Sequence, residues 1–273
     1  MLEIHITRIH EGIVVLYALS VFLYFVDYLQ HNQRAKKTAF WLLTIVWVLQ
    51  TFSFFYYMLQ TGRFPILTML EGLYFYAWVL ITLSLILNRI IRVEFLAFFT
   101  NVLAFLVIAV HTFSPPASDS AILADQLISE LLFIHITVAI LSYGAFTLSF
   151  VVSLLYFIQY DLLKRKKWGT RLKRIPDLAK LEQMSFLLII IGVPLLLISL
   201  ILGFVWAYMV IPQMRWYDPK VVGSVFVFAM YGLYIYKKRS GTTGMKLVIL
   251  NTAGFFALLI NFFLTGKFSS FHL

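Results

Sequence analysis

Apolar runs of roughly 20 residues, cut by short polar and basic stretches, repeat along the whole chain, and a run of that length is what a membrane-spanning helix needs. Eight are predicted: Ile9–Leu29, Thr38–Gln60, Leu73–Leu87, Phe95–Phe113, Glu130–Tyr160, Ser185–Ile211, Val221–Tyr236 and Leu247–Thr265. None alternates with the two-residue period of a barrel strand, and every stretch between them is too short for a folded domain. The pattern predicts an all-α, polytopic bundle of eight transmembrane helices, a single membrane domain over residues 1–273. The third and seventh runs are short and are expected to gain length from their flanks. The sixth carries Gly192, Pro194 and Gly203 and is long enough to tilt or bend.

Composition agrees with the pattern and narrows the chemistry. The chain is 62% hydrophobic, 18% aromatic and only 12% charged, which leaves too little charge to cover a soluble fold. Without a cysteine it cannot form disulfides, exchange thiols or hold a thiolate-bound metal. The net charge of +10 is not spread evenly: 17 of the 22 Lys and Arg fall in the stretches after spans one, three, five and seven. The positive-inside rule places those stretches in the cytoplasm and both termini outside, and a membrane role replaces the nucleic-acid partner that the charge alone would suggest. Met1–Glu11 lacks a basic n-region, so the first span is expected to stay uncleaved.

The largest of these stretches, residues 162–184, is expected to be a basic cytoplasmic loop. It carries Lys164, Arg165, Lys166, Lys167, Arg171, Lys173 and Arg174, with Ile175, Leu178 and Leu181 at helical spacing after Pro176. It reads either as an amphipathic helix on anionic membrane lipid or as a docking surface for a soluble partner. On the other side, residues 114–129 suit a short surface helix opening after Ser118. Five of the six histidines, His5, His10, His111, His135 and His272, fall on or near the outer side in this topology. His135 lies inside span five, where an ionisable group is costly unless it faces a cavity, a partner or a ligand. No P-loop, HExxH, EF-hand or Ser-His-Asp arrangement occurs, and the spans hold almost no central charge for ion coupling, so neither an enzyme nor a transporter is expected.

Three local patterns, in order across about 200 residues, carry a resemblance. Gly203-Phe-Val-Trp206-Ala, continuing through Gln213-Met-Arg215-Trp216-Tyr217-Asp218-Pro219-Lys220, resembles the tryptophan-rich outer loop, ending W-x-W-D-P-K, of the cytochrome c assembly superfamily (CcsA, CcmC, CcmF). His135-Ile-Thr-Val-Ala-Ile-Leu-Ser-Tyr143-Gly-Ala-Phe is similar to that family's H-(x)6-S-Y-x-x-F. Pro65-Ile-Leu-Thr-Met-Leu-Glu71-Gly-Leu-Tyr-Phe-Tyr-Ala-Trp78 is similar to its P-L-x-N-x-x-E-S-L-x-F-x-x-W. The chain also departs from the pattern. Arg215 and Tyr217 stand at the two Trp positions, and Tyr236 and Phe268 stand where family histidines are expected, with His272 four residues beyond Phe268. Eight spans without a fused periplasmic domain resemble the branch associated with bacterial haem biosynthesis.

The resemblance implies a non-enzymatic protein of the bacterial cell membrane that handles haem, haem b being the cofactor expected, and supports cytochrome c assembly or haem homeostasis. The outer segment expected to hold it spans residues 206–220. A porphyrin needs flat aromatics, partners for its propionates and axial donors. Trp206, Trp216 and Tyr217 are candidates for ring contact, Arg215 and Lys220 for the propionates, and His135 with His272 for the iron, His111 standing in reserve. The same Trp and Tyr also fit an interfacial belt, and the cations fit lipid headgroups. Asp218 before Pro219 suits a helix N-cap. Glu71 suits either helix-start electrostatics or orientation of the outer loop. The second function implied is regulatory: a membrane-bound control of glutamyl-tRNA reductase abundance acting through the basic loops, without haem delivery. Other cytochrome c assembly proteins or that reductase are then the partners.

Overall fold

The computed structural model describes residues 2–66, 68–90, 95–114, 130–166, 174–210 and 217–263. Among them are eight α-helices and no strand: α1 Leu2–Gln30, α2 Gln33–Thr61, α3 Met69–Ile90, α4 Leu96–Phe113, α5 Glu130–Lys164, α6 Leu178–Val210, α7 Pro219–Arg239 and α8 Met245–Phe263. Each is long and apolar enough to cross a membrane, and the chain is a multi-pass membrane protein. Side chains such as Trp41, Phe52, Leu59 and Phe113 point outward, as suits helices surrounded by lipid. The chain divides into two compact units, Met1–Gln126 and Leu127–Leu273.

Helix ends depart from the apolar runs because caps rather than hydropathy stop a helix. The short third run gains a turn at its start from Thr68-Met-Leu-Glu71, where the Glu71 N–H donates to Thr68 Oγ1 (3.2 Å) and the Thr68 N–H donates to Glu71 Oε2 (3.2 Å), a reciprocal capping box. The seventh gains a start from Asp218, whose Oδ1 accepts the Lys220 N–H at 2.8 Å with Pro219 in the first turn. Its end gains Lys237, Lys238 and Arg239, cations favoured by the helix dipole. The largest departure is in the basic stretch. Lys164 closes α5, and Leu178 opens α6, which continues directly into its span. Leu178 and Leu181 therefore belong to the first turns of a spanning helix rather than to a separate surface helix, and Leu181 is fully buried.

In the first unit, Ser20 donates to the Ala39 carbonyl (2.8 Å), tying α1 to α2. Tyr17 donates to Asn101 Oδ1 (2.8 Å), and Asn101 Nδ2 donates to Ser84 Oγ (2.7 Å), tying α1, α4 and α3. Trp47 and Trp78 stack at 6.2 Å, and their indole N–H groups donate across to Thr82 (2.8 Å) and Thr51 (2.9 Å). Where neighbouring lipid is as apolar as leucine, such bonds and close packing drive association more than hydrophobicity does.

In the second unit, α5 and α6 run antiparallel and are tied by rungs spaced seven residues apart on both helices. His135 reaches the Ser199 carbonyl, Ser142 the Gly192 carbonyl (3.0 Å) and Ser149 the Ser185 carbonyl (3.2 Å). Seven residues is close to two turns, so all three rungs share one face of each helix. Small residues at 185, 192, 199 and 203 let the backbones approach. Phe146 fills the space at Gly192, where an added Cβ would lie 2.7 Å from its ring, and it stacks on Tyr231 of α7 at 3.8 Å. Asn251 of α8 donates to Ser149 Oγ (2.8 Å) and Ser153 Oγ (2.8 Å). At the end of the unit where α5 stops, Glu182 bonds Lys238 and accepts the Gly244 N–H (2.7 Å), tying α6 to α7 and to the turn before α8.

Candidate functional site

The last rung of the ladder, at the end where α5 begins, is His135. Its Nδ1 lies 2.7 Å from the Ser199 carbonyl oxygen, and a carbonyl can only accept, so Nδ1 carries the proton. Ser199 Oγ stands 3.1 Å from the same nitrogen, and its hydroxyl donates to the His135 carbonyl at 3.2 Å. The ring edge lies against Gly203, one turn along α6, where an added Cβ would fall 2.5 Å from Cε1. These contacts fix the tautomer and the ring position together. Nε2 then keeps an unshared pair, and it makes no hydrogen bond among the described residues, which is the state an imidazole needs in order to bind a metal.

Trp206 sits on the same face of α6, buried to 3% exposure, one turn beyond Gly203. It belongs to the helix rather than to a loop. Nearby on the chain, Lys220 in the first turn of α7 has its Nζ 5.5 Å from the centre of the Phe262 ring of α8. Phe262 in turn meets Tyr143 of α5 edge-on at 6.1 Å. Asp218 is buried as the α7 cap, and Tyr217 is exposed. The end of this unit where α5 and α7 begin and α6 and α8 end therefore brings together an oriented imidazole, an aromatic lining and a cation held against a ring. The candidates Arg215, Trp216 and His272 lie outside the described residues.

The remaining candidates lie elsewhere. His111 of α4 belongs to the first unit, where it meets His10 of α1 at 5.5 Å and Tyr74 of α3 at 4.8 Å between ring centres. Glu71 does more than start α3. Arg63 donates to both its oxygens (3.1 and 2.9 Å) and Tyr57 to Oε1 (2.8 Å), fastening the α2–α3 connection to the helix start. Of the basic stretch, Lys164, Arg165, Lys166 and Arg174 are described, and Lys167, Arg171 and Lys173 are not. Arg165 pairs with Asp161 one turn back at 2.7 Å, an exposed pair that contributes little to stability.

Ser199, Gly203, Arg63 and Tyr57 were not anticipated as site residues. The signal for the first two was present: His135, Ser142 and Ser149 repeat every seven residues, and so do Ser185, Gly192 and Ser199. What the sequence withheld was the antiparallel register that pairs them.

The fold and this end of the second unit define a multi-pass helical membrane protein with an oriented intramembrane histidine. Residues 66–272 match the family described as "Cytochrome C assembly protein", and the chain belongs to that family. It is 56% identical over 273 residues to "Protein HemX" of Bacillus subtilis (strain 168), covering 100% of this chain and 99% of that protein. It is 39% identical to "Protein HemX" of Brevibacillus brevis, covering 97% of each. To "Cytochrome c biogenesis protein CcsA" of Mesostigma viride it is 29% identical, covering 72% of each. Within the family the chain is a HemX-like member.

Proposed function

We propose that this protein is a haem-handling component of the bacterial plasma membrane, with both termini outside the cytoplasm, that supports cytochrome c assembly or haem homeostasis without catalysing a reaction itself. The observation that carries this reading is the His135 clamp. An Nδ1–H bonded to a main-chain carbonyl leaves Nε2 free, and proteins orient an imidazole towards iron through such a bond on its other nitrogen. The residues present fit the group. His135 would supply one axial nitrogen and His272 the other; Trp206, Trp216 and Tyr217 would meet the ring, and Lys220 with Arg215 would pair with the propionates. Bound haem b would bring the iron. The chain's own contribution is to hold the imidazole in one tautomer, line the site with aromatic rings and place positive charge for carboxylates.

A second reading has its own support. Lys164, Arg165, Lys166, Lys237, Arg239 and Lys246 are all exposed at the opposite end of the second unit, a surface suited to a soluble acidic partner such as glutamyl-tRNA reductase. The absorption spectrum of the purified chain tests the first reading: a Soret band lost in His135→Ala supports it, and a band unchanged in that variant overturns it. Neutralising residues 164–167 separates the two, because regulation through the basic loop predicts altered reductase abundance with the Soret band intact.

A further inference from the structure

The first unit holds a second histidine site that the haem reading does not use. His10 of α1 and His111 of α4 stand 5.5 Å apart between ring centres, and Tyr74 of α3 closes a triangle at 5.1 Å from His10 and 4.8 Å from His111. Helix α2 joins through Ser53, whose Oγ lies 3.2 Å from His10 Nε2. That bond leaves His10 Nδ1 for another partner. His111 Nδ1 is shielded from solvent and has no partner among the described residues. One turn from Ser53 towards the middle of α2 is Gln50, which is fully buried with neither amide atom bonded among the described residues. Leaving such groups unpaired in a lipid-embedded bundle is costly, because no water is there to satisfy them.

We propose that His10 and His111 form a binding site for a first-row transition-metal ion of the imidazole-preferring kind, represented by Zn2+. The spacing selects the geometry. With metal–nitrogen bonds of about 2.0–2.1 Å, two imidazoles on one tetrahedral ion have ring centres roughly 5 Å apart, whereas two on opposite sides of a haem iron need more than about 6 Å. The observed 5.5 Å is nearer the tetrahedral value, so this is a site for a bare ion and not a second haem pair. Ser53 on His10 is the outer partner that fixes a ligating ring. The chain has no cysteine, so nitrogen and oxygen donors complete the coordination.

The test uses the full-length protein in detergent, stripped with chelator and titrated with Co2+ as a visible-absorbing probe, then with Zn2+ as competitor. One ion per chain is expected, with His10→Gln and His111→Gln each weakening binding at least about tenfold, because a lost donor costs no less than a lost outer partner. His31→Asn, at an exposed histidine between α1 and α2, should leave the titration unchanged, which separates this site from binding at any surface imidazole. X-ray absorption of the Zn2+-loaded wild-type chain needs no variant: two imidazoles in the first shell are expected. No stoichiometric binding, binding that survives both substitutions, or a shell with fewer than two imidazoles would overturn the proposal and show the pair to be aromatic packing only.

Discussion

At the scale of single residues, Gly203 decides whether His135 can sit where it does. An added methyl would lie 2.5 Å from the imidazole, so Gly203→Ala must move either the ring or α6. Overpacking of this kind costs about 1–3 kcal/mol. The expected outcome is a Soret band weakened towards that of His135→Ala, together with a lower midpoint in detergent-mediated unfolding. Gly12→Ala is the control, since a Cβ there meets nothing within 4 Å in α1 and the substitution should leave stability equal or raise it by up to about 1 kcal/mol. Ser199→Ala should act more weakly than Gly203→Ala, because the acceptor that sets the tautomer is the main-chain carbonyl and survives the change.

At the scale of elements, the start of α3 rests on one local device and one longer-range one. Thr68→Ala removes the cap and leaves the Arg63 pair, and a loss of about 1 kcal/mol is expected. Glu71→Ala removes both the reciprocal cap and the carboxylate that Arg63 and Tyr57 share. Arg63 and Glu71 are only 17% and 16% exposed, so the screening that weakens surface pairs is reduced and a larger loss is expected, about 2 kcal/mol. Unfolding midpoints of the two variants in mixed micelles check the order; equal losses would mean that the ion pair contributes nothing. The helices themselves were legible because hydropathy over about 20 residues is a strong signal. Their ends needed the caps, and Asp218-Pro219 and Thr68-Met-Leu-Glu71 are both visible in the sequence. The clamp was not legible. His135 and Ser199 are 64 residues apart, and the identity of a backbone acceptor leaves no trace in side-chain chemistry.

At the scale of the whole molecule, the basic residues gather on one side of the predicted topology, and the proposed orientation rests on that asymmetry. A cysteine-free chain makes the check direct. In intact cells a single Cys at Ser118 should react with an impermeant thiol reagent and one at Gly169 should not; the reverse would invert the topology and move the His135 end of the second unit to the cytoplasm. The two compact units differ in what they carry. The first holds a histidine pair braced by Tyr74, and the second holds, among the described residues, one histidine braced by main chain. Family resemblance drew attention to the element at residues 65–78 and to His111 in the first unit, and to His135 and Trp206 in the second, but not to His10. The His10 and His111 cluster was hidden because its members are 101 residues apart and neither lies in a motif.

The ladder between α5 and α6 divides its labour unevenly, and the division should show in the evolutionary record. Every rung has a side-chain donor on α5 and a main-chain acceptor on α6. No substitution can delete an acceptor that every amino acid carries. Selection on α5 should therefore act on chemistry, keeping a donor at 135, 142 and 149. Selection on α6 should act on volume, keeping Gly at 192, where even an added Cβ would lie 2.7 Å from the Phe146 ring. Two faces of one contact would then drift under different rules, one constrained by identity and the other by size.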